Sequence, residues 1–300
     1  MLSFQGAYTA LVTPFTADGS AIDWSRLKFN LEHQAAGRVA GVVPCGTTGE
    51  SPTLTEAEHR AVVEKTIEWA RPLGLTVIAG AGSNSTAKAI ELHRFAWAAG
   101  ADASLQVNPY YNKPSQEGLY RHFMAIADSC DLPIVLYNIP GRSAVAIAAA
   151  TFERLAAHPN IRAVKEASGS LDSASDIVAR TNLTLLSGDD SLTLPMAALG
   201  ATGVVSVVSN LVPERVQALC DAFNNDDWEQ ARRIHFELLP LSRGLLSLDT
   251  NPVPVKAALE LLGRDSGGMR LPMTRGSKEL FEAVKKLIAV AKLQAAKPEL

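Results

Sequence analysis

One lysine lies in a setting where its amine could act as a nucleophile. Lys165 sits in the apolar run 161–166, and Ala163 and Ala167 lie two residues away on either side. Side chains alternate between the faces of a β-strand, so both alanines share the face of the lysine and leave space around its amine. An amine removed from water loses its proton more readily, and the free amine can attack a carbonyl carbon to form a Schiff base. The alternative is a strand-end lysine that reaches solvent or pairs with a carboxylate.

A tyrosine in another apolar run could move protons. Tyr137 lies within 133–139 and shares a strand face with Val135 and Ile139. A phenol on the inner face of a barrel can pass protons between a lysine, an aldehyde oxygen and water. The alternative is a core tyrosine whose hydroxyl donates to a carbonyl oxygen.

Two threonines and an arginine offer groups that bind carboxylates. Thr47 and Thr48 follow Gly46 at the end of an apolar run, where backbone amides can hold an anion and a hydroxyl can pass a proton. A tight turn capped by hydroxyls is the competing interpretation. Arg142 lies in a predicted loop. Its guanidinium can bind a carboxylate through two parallel hydrogen bonds, although an isolated loop arginine is usually just solvated.

Other chemistries fit the sequence less well. The six histidines include no His-x-His or His-Glu-x-x-His, so no metal site is expected. Gly80 and Gly82 resemble the start of a dinucleotide fingerprint, but Ser85 stands where that pattern has its third glycine. Neither a phosphate-binding P-loop nor a Gly-x-Ser-x-Gly sequence is present.

The elements that must position these residues recur along the chain. Eight short apolar runs alternate with amphipathic segments: 7–13, 40–45, 76–81, 103–108, 133–139, 161–166, 183–187 and 203–209. Because the runs are not alternately apolar and polar, we expect strands covered on both faces, as in a parallel sheet. Eight strand–helix units predict an α/β fold and a (β/α)8 TIM barrel. A doubly wound open sheet is the alternative, but it usually has fewer strands.

Polar residues gather at the ends of these runs, where barrel enzymes build their sites. They occupy positions 46–51 (Gly-Thr-Thr-Gly-Glu-Ser), 108–112 (Asn-Pro-Tyr-Tyr-Asn), 137–142, 165–166, 187–190 (Ser-Gly-Asp-Asp) and 209–210. A need for solubility alone would place polar groups at both ends of the strands. The pattern therefore predicts a site at one mouth of the barrel.

The chain continues beyond the eighth unit. A helix at 213–224 completes that unit, so we expect a catalytic barrel over 1–227 and a C-terminal helical appendage over 228–300. The appendage begins with apolar residues at helical spacing, namely Ala231, Ile234, Leu238, Leu241, Leu245 and Leu248. This row predicts either packing within the chain or a subunit contact. Pro240 is expected to kink that helix, and further helices are expected near 255–262 and 278–293.

Composition narrows the function classes. Of 300 residues, 47% are hydrophobic and 20% charged, which suffices for a sizeable core. The formal charge of −3 argues against binding to nucleic acid or to a membrane surface. The three cysteines fit a reducing cytoplasm, and the N-terminus shows no signal peptide pattern. The uncharged stretch 191–213 is interrupted by proline, glycine and serine, unlike a membrane span.

The motifs together make a resemblance to a known family. The chain resembles the dihydrodipicolinate synthase family, within the pyruvate-dependent class I aldolases that include N-acetylneuraminate lyase. The matching stretches are 10–15 (Ala-Leu-Val-Thr-Pro-Phe), 46–51, 108–112, 137–142, 164–167, 187–190 and 251–256 (Asn-Pro-Val-Pro-Val-Lys). Each stretch is short, but their order and spacing across nearly the whole chain are specific.

The resemblance implies a reaction and a role for each site residue. Pyruvate would form a Schiff base with a lysine and condense with L-aspartate 4-semialdehyde, in diaminopimelate and lysine biosynthesis, without a metal or organic cofactor. The implied roles are Lys165 as nucleophile, Tyr137, Thr48 and Tyr111 as proton relay, Thr47 and Thr48 for the pyruvate carboxylate, Arg142 for the semialdehyde carboxylate, and Gly188 and Val205 as pocket lining. Tyr111 would reach in from a neighbouring subunit of a homotetramer built as a dimer of dimers.

Only a few residues distinguish the related enzymes of this group from one another. Arg142 and the threonine pair favour the synthase, because sugar-acid lyases more often have Ser-Thr and lack the arginine. Gly141, where many synthases have serine, argues slightly the other way. The alternatives are N-acetylneuraminate lyase and the aldolases or dehydratases of 2-keto-3-deoxy sugar acids.

The resemblance also implies a possible effector site for lysine at a subunit interface. Its residues would be Ser51, Glu56, Asn84, Lys88 and Tyr110. Glu56 stands where regulated relatives have histidine, and Lys88 where they have glutamate. Because Lys88 would place a cation near the amine of the effector, we expect lysine inhibition to be weak or absent.

Overall fold

Eight parallel strands close into one barrel in the order of the chain. The computed structural model describes residues 3–293. The strands are β1 (Gly6–Ala10), β2 (Gly41–Val43), β3 (Thr76–Gly80), β4 (Ala103–Val107), β5 (Ile134–Asn138), β6 (Ile161–Glu166), β7 (Thr184–Ser187) and β8 (Gly203–Ser206). Each strand pairs with the next one, and β8 pairs with β1. The predicted (β/α)8 TIM barrel is therefore confirmed.

Helices surround the barrel and follow it toward the C-terminus. They are α1 (Trp24–Ala36), α2 (Glu56–Ala70), α3 (Thr86–Ala99), α4 (Gln116–Ala127), α5 (Pro140–Ser143), α6 (Ala149–Ala156), α7 (Leu171–Arg180), α8 (Thr193–Ala197), α9 (Pro213–Asn224), α10 (Trp228–Ser247), α11 (Val253–Leu261) and α12 (Lys278–Val290). The helix α2 begins with a capping box, in which Thr55 and Glu58 satisfy each other's backbone amides. Among residues 3–293, no helix is both long and apolar enough to cross a membrane.

The strands bury side chains on two faces, as their unbroken apolar character predicts. The lumen of the barrel is filled by one face of each strand, including Ala163 of β6 and Leu186 of β7. The other face, with Val164 and Leu185, packs against the surrounding helices. This alternation turns Tyr137 and Lys165 toward the lumen.

The eighth strand is shorter than its apolar run suggests. The run 203–209 predicts a longer strand, but β8 ends at Ser206 and a 3-10 turn follows at Val208–Asn210. Asp190 accounts for the difference, because its carboxylate accepts hydrogen bonds from the backbone amides of Val207 and Val208 at 2.8 and 3.2 Å. Those amides are then no longer available to a neighbouring strand.

The helices after residue 227 pack against the same core as the barrel helices. Ala231, Ile234, Leu238, Leu241 and Leu245 are buried there, so this part of the apolar row packs within the chain, whereas Leu248 is 39% exposed. The helix α10 runs through Pro240 without a break. The boundary between a barrel and an appendage at residue 227 stays a prediction, and residues 294–300 of that region lie outside the described residues.

Candidate active site

Lys165 and Tyr137 meet inside the barrel on neighbouring strands. They are direct partners in the register of β5 and β6. Both are buried, with 6% and 5% of the residue exposed, and the Lys165 Nζ atom lies 4.1 Å from the centre of the Tyr137 ring. Within residues 3–293, Nζ has neither a hydrogen-bond acceptor nor a carboxylate partner. The structure thus argues against the strand-end and ion-pair alternatives for this lysine.

Small residues make room for the lysine stem. Ala163 lies in the lumen below Lys165, and Ala167 packs beside the same cluster. At Gly188, an added Cβ atom would lie 2.6 Å from the Cβ of Ala167 and 3.1 Å from the Cγ of Lys165. Because real Cβ atoms do not approach so closely, glycine is needed here for the lysine to extend along the lumen.

The opposite face of β6 carries a buried carboxylate that the sequence left unexplained. Glu166 is fully buried and accepts hydrogen bonds from Asn138 Nδ2 at 2.8 Å, from the backbone amide of Ser168 at 2.7 Å and from Ser173 Oγ at 3.0 Å. These contacts join the ends of β5 and β6 to α7. They fix the strand on which Lys165 is carried, and burial of a charge is tolerated because several donors satisfy it.

The residues 46–51, here called the threonine loop, form a turn at the end of β2. Its backbone closes on itself through the hydrogen bond from the amide of Glu50 to the carbonyl of Thr47 at 3.1 Å. The hydroxyl of Thr48 is not used to cap this turn. It is buried and accepts a hydrogen bond from Asn251 Nδ2 at 2.9 Å. The loop is therefore a tight turn, as one interpretation of the sequence expects, and it also leaves the Thr48 hydroxyl free to donate a proton, as the other expects.

A buried ion pair anchors the threonine loop to α11. Glu50, in the left-handed region with φ of +52°, places its Oε1 atom 2.7 Å from Lys256 Nζ, and both side chains are 1% exposed. The ammonium also donates to the carbonyls of Thr13 and Gly268 at 3.2 and 2.6 Å. Burial raises the pKa of Asp265, which lies close by, to about 6. No sequence pattern predicts a role for these residues.

Arg142 stands at the mouth of the barrel. It lies on the short helix α5 directly after β5, is exposed, and donates from Nη2 to the carbonyl oxygen of Asn251 at 3.3 Å. Together with Thr47 and Tyr137 it lines a cavity of about 470 Å³. Arg142 and Tyr137 therefore share one cavity.

Two further predicted site residues lie in different surroundings. Val205 of β8 is buried in the lumen with Tyr137, so both belong to one wall of side chains. Tyr111 is 91% exposed and has a φ of +73°, a strained backbone conformation for a tyrosine. The structure of the single chain therefore does not bring Tyr111 to Lys165.

The predicted effector residues lie along the same cavity. Ser51, Glu56, Lys88 and Tyr110 line it, and Asn84 is attached through a hydrogen bond from its Nδ2 atom to the carbonyl of Tyr110 at 3.1 Å. The ammonium of Lys88 lies 2.7 Å from Glu56 and 3.1 Å from Glu91. The hydrogen bond from Lys88 lowers the pKa of Glu56 to about 2. The carboxylate at this end of the cavity is therefore already neutralised.

Comparisons with known proteins agree on one family. The family model described as "Dihydrodipicolinate synthetase family" matches residues 3–291. A protein of Sorangium cellulosum named 4-hydroxy-tetrahydrodipicolinate synthase is 50% identical over 295 residues, which cover 96% of this chain and 97% of that protein.

Solved structures agree as well. The structure of the 4-hydroxy-tetrahydrodipicolinate synthase from Methylacidiphilum fumariolicum SolV superposes with a TM-score of 0.93 at 47% identity, covering 97% of this chain and 96% of that one. A structure from Cyanidioschyzon merolae, described as having lysine bound, superposes with a TM-score of 0.93 at 41% identity, covering 97% and 99%.

Proposed function

This chain belongs to the dihydrodipicolinate synthetase family, and from that premise we propose how its residues carry out the reaction. The chain is an enzyme, a Schiff-base-forming lyase. It condenses pyruvate with L-aspartate 4-semialdehyde to give 4-hydroxy-tetrahydrodipicolinate, in the diaminopimelate route to lysine. The observation that carries the assignment of residues is the buried amine of Lys165, which has no partner within the described residues except the ring of Tyr137.

The covalent steps begin at that amine. Lys165 attacks the carbonyl carbon of pyruvate, and loss of water leaves an imine. The imine withdraws electrons, so a methyl proton departs and an enamine forms. The enamine carbon then attacks the aldehyde of the second substrate. The amine of that substrate displaces Lys165 from the imine carbon and closes a six-membered ring, which returns the enzyme to its starting state.

Protons move through hydroxyl groups in this scheme. Tyr137 gives a proton to the alkoxide that forms from the aldehyde, and Thr48 connects it with Tyr111. The position of Tyr137 over Lys165 supports its part. The exposure of Tyr111 supports a part in a neighbouring subunit, because a tyrosine held at 91% exposure with a positive φ needs a partner surface to justify its conformation.

The residues at the mouth of the barrel offer groups that bind the carboxylates of both substrates. We assign the pyruvate carboxylate to the threonine loop, through Thr47 and Thr48, and the semialdehyde carboxylate to Arg142. Gly188 and Val205 line the pocket between them, and the close approach of Gly188 to the side chain of Lys165 supports this. The enzyme would work in the cytoplasm as a homotetramer built as a dimer of dimers, in which Tyr111 completes the site of the adjacent subunit.

A labelling experiment tests the assignment. Borohydride added with pyruvate should attach one pyruvate-derived group to the peptide that contains Lys165, as mass spectrometry of a digest would show. Turnover of aspartate semialdehyde, N-acetylneuraminate and 2-keto-3-deoxygluconate should then be compared, with the first substrate favoured. A protein that stays unlabelled, or that prefers a sugar acid, would contradict the proposal.

Arg142→Ala should impair the reaction with the semialdehyde but not the formation of the pyruvate adduct. Without the guanidinium the semialdehyde carboxylate loses two charge-assisted hydrogen bonds, so kcat/KM for the semialdehyde should fall by about 10²-fold or more. Labelling by pyruvate and borohydride should persist, because Arg142 lies at the mouth and not beside Lys165. Steady-state kinetics with each substrate varied in turn provides the measurement. Normal turnover in this variant would contradict the role of Arg142.

We expect millimolar L-lysine to leave the initial rate nearly unchanged. The carboxylate of Glu56 is already paired with Lys88, so it is not free to bind the ammonium of the effector. An activity titration with lysine measures this. A matched variant that combines Glu56→His with Lys88→Glu restores the residues of regulated relatives and should gain inhibition. Inhibition of the unmodified protein at micromolar lysine would overturn the expectation.

A further inference from the structure

The segment 251–256 takes no part in the steps above, yet it contacts the threonine loop in two places. Asn251 Nδ2 donates to Thr48 Oγ1 at 2.9 Å, and Lys256 Nζ lies 2.7 Å from Glu50 Oε1. The first contact involves the Thr48 hydroxyl, which the proposed reaction needs. The second is a buried ion pair at another residue of the same loop. One segment from outside the eight strands therefore holds the loop at its reactive residue and at its base.

The hydrogen bond from Asn251 fixes the direction of the Thr48 hydroxyl. A threonine hydroxyl can donate one hydrogen bond and accept two. Because Asn251 donates, the proton of Thr48 cannot point at the amide and remains free for another acceptor. Within residues 3–293 the hydroxyl of Thr48 has no acceptor, and the Asn251 Oδ1 atom is buried without a partner. The contact with Thr48 is thus the one that orients this amide.

The same residue also contacts the arginine at the mouth. The carbonyl oxygen of Asn251 accepts a hydrogen bond from Arg142 Nη2 at 3.3 Å. Asn251 therefore lies between the hydroxyl assigned to proton transfer and the guanidinium assigned to the second substrate. A shift of its backbone would move both groups.

We propose that Asn251 is a positioning residue that turns the hydroxyl proton of Thr48 toward the reacting atoms, while the ion pair of Lys256 and Glu50 holds the loop in place. The inference rests on the proposed function, in which Thr48 passes a proton. It predicts that the amide matters for kcat through Thr48, and that pyruvate binding at Lys165 depends on it little.

Two substitutions of Asn251 in the full-length enzyme should differ in a defined order. Asn251→Ala removes the donor and should lower kcat about tenfold, the effect of one lost hydrogen bond, with the KM for pyruvate nearly unchanged. Asn251→Asp keeps the shape but only accepts, so it draws the proton of Thr48 away and should lower kcat further than alanine does. Thr250→Ala, a change of the exposed neighbour, is the matched control and should keep wild-type kinetics.

A double-mutant cycle separates positioning from a general structural effect. In a Thr48→Val background, Asn251→Ala should add less than about a twofold further loss, because the group it orients is already gone. If Asn251→Ala does not fold, the isosteric aspartate variant replaces it in the cycle. Fully additive losses, or an aspartate variant with wild-type kcat, would overturn the inference.

Labelling by pyruvate and borohydride distinguishes failure of the proposed function from failure of the positioning role of Asn251. Wild type and both Asn251 variants should form the adduct at Lys165 to the same extent. A wild-type protein without the adduct would overturn the proposed function and, with it, the role of Thr48. An adduct in wild type that is lost in the Asn251 variants would contradict positioning through Thr48 and place Asn251 in the first covalent step.

Discussion

Lys165→Met should abolish the adduct with pyruvate and lower kcat by at least about 10⁴-fold, as expected when a covalent nucleophile is removed. Methionine fills the space of the lysine stem between Ala163 and Gly188 but has no amine. Mass spectrometry after borohydride treatment and steady-state kinetics measure the two effects. Lys28→Met, on the exposed side of α1, serves as the control and should retain both the adduct and the rate.

The same variant should remain folded, which distinguishes lost chemistry from lost structure. The buried amine of Lys165 has no hydrogen-bond acceptor within the described residues, so its removal takes no hydrogen bond from the fold and costs only the contact with the ring of Tyr137. Burial of a polar group without a partner is itself costly. The midpoint of thermal unfolding should therefore not decrease. An adduct of undiminished yield in Lys165→Met would show that another lysine is the nucleophile.

Tyr137→Phe should lower kcat by roughly 10²- to 10⁴-fold, the usual contribution of a positioned proton donor. The ring stays above Lys165, so the adduct with pyruvate should still form, and the loss should appear after imine formation. Single-turnover experiments that follow adduct formation and product separately provide the measurement.

Tyr8 offers a matched control for that substitution. It also faces the lumen, but its hydroxyl donates to the carbonyl oxygen of Ser3 at 3.1 Å, and burial raises its pKa to about 12. Tyr8→Phe should therefore keep a rate close to that of the wild type and should lose only the stability that the hydrogen bond contributes. A Tyr137→Phe enzyme with the wild-type rate would remove Tyr137 from the proton relay.

Strand periodicity explains why much of this arrangement could be predicted from the sequence. Alternation placed Lys165 between two alanines on the inner face, and the parallel barrel brings the ends of all strands to one mouth. Those two rules suffice to put Lys165 beside Tyr137 and to bring the threonine loop to the cavity that Tyr137 lines. They depend only on residues that are neighbours in the chain or on adjacent strands.

The contacts that escaped prediction join distant parts of the chain. The bond between Asn251 and Thr48 spans 203 residues. The hydrophobic periodicity of helices and strands cannot predict such a pairing, because each partner lies in an irregular segment. The signal available was chemical: Glu50 and Lys256 are charged residues inside short motifs that the structure buries to 1% exposure. Glu166 was missed for a related reason, since its donors come from a strand and a helix on the outer face.

The buried pair of Glu50 and Lys256 has a consequence for how the enzyme is made. A ribosome adds roughly 5–20 residues per second, so the 206 residues between the two partners take about 10–40 s to appear. Throughout that interval the strands of the barrel can emerge and pair, while the carboxylate of Glu50 has no ammonium to meet. The threonine loop, to which we assign the pyruvate carboxylate, thus lacks the ammonium of Lys256 until late in synthesis. A chain truncated before α11 would keep all eight strands but would lack Lys256, the partner that holds Glu50 of the threonine loop.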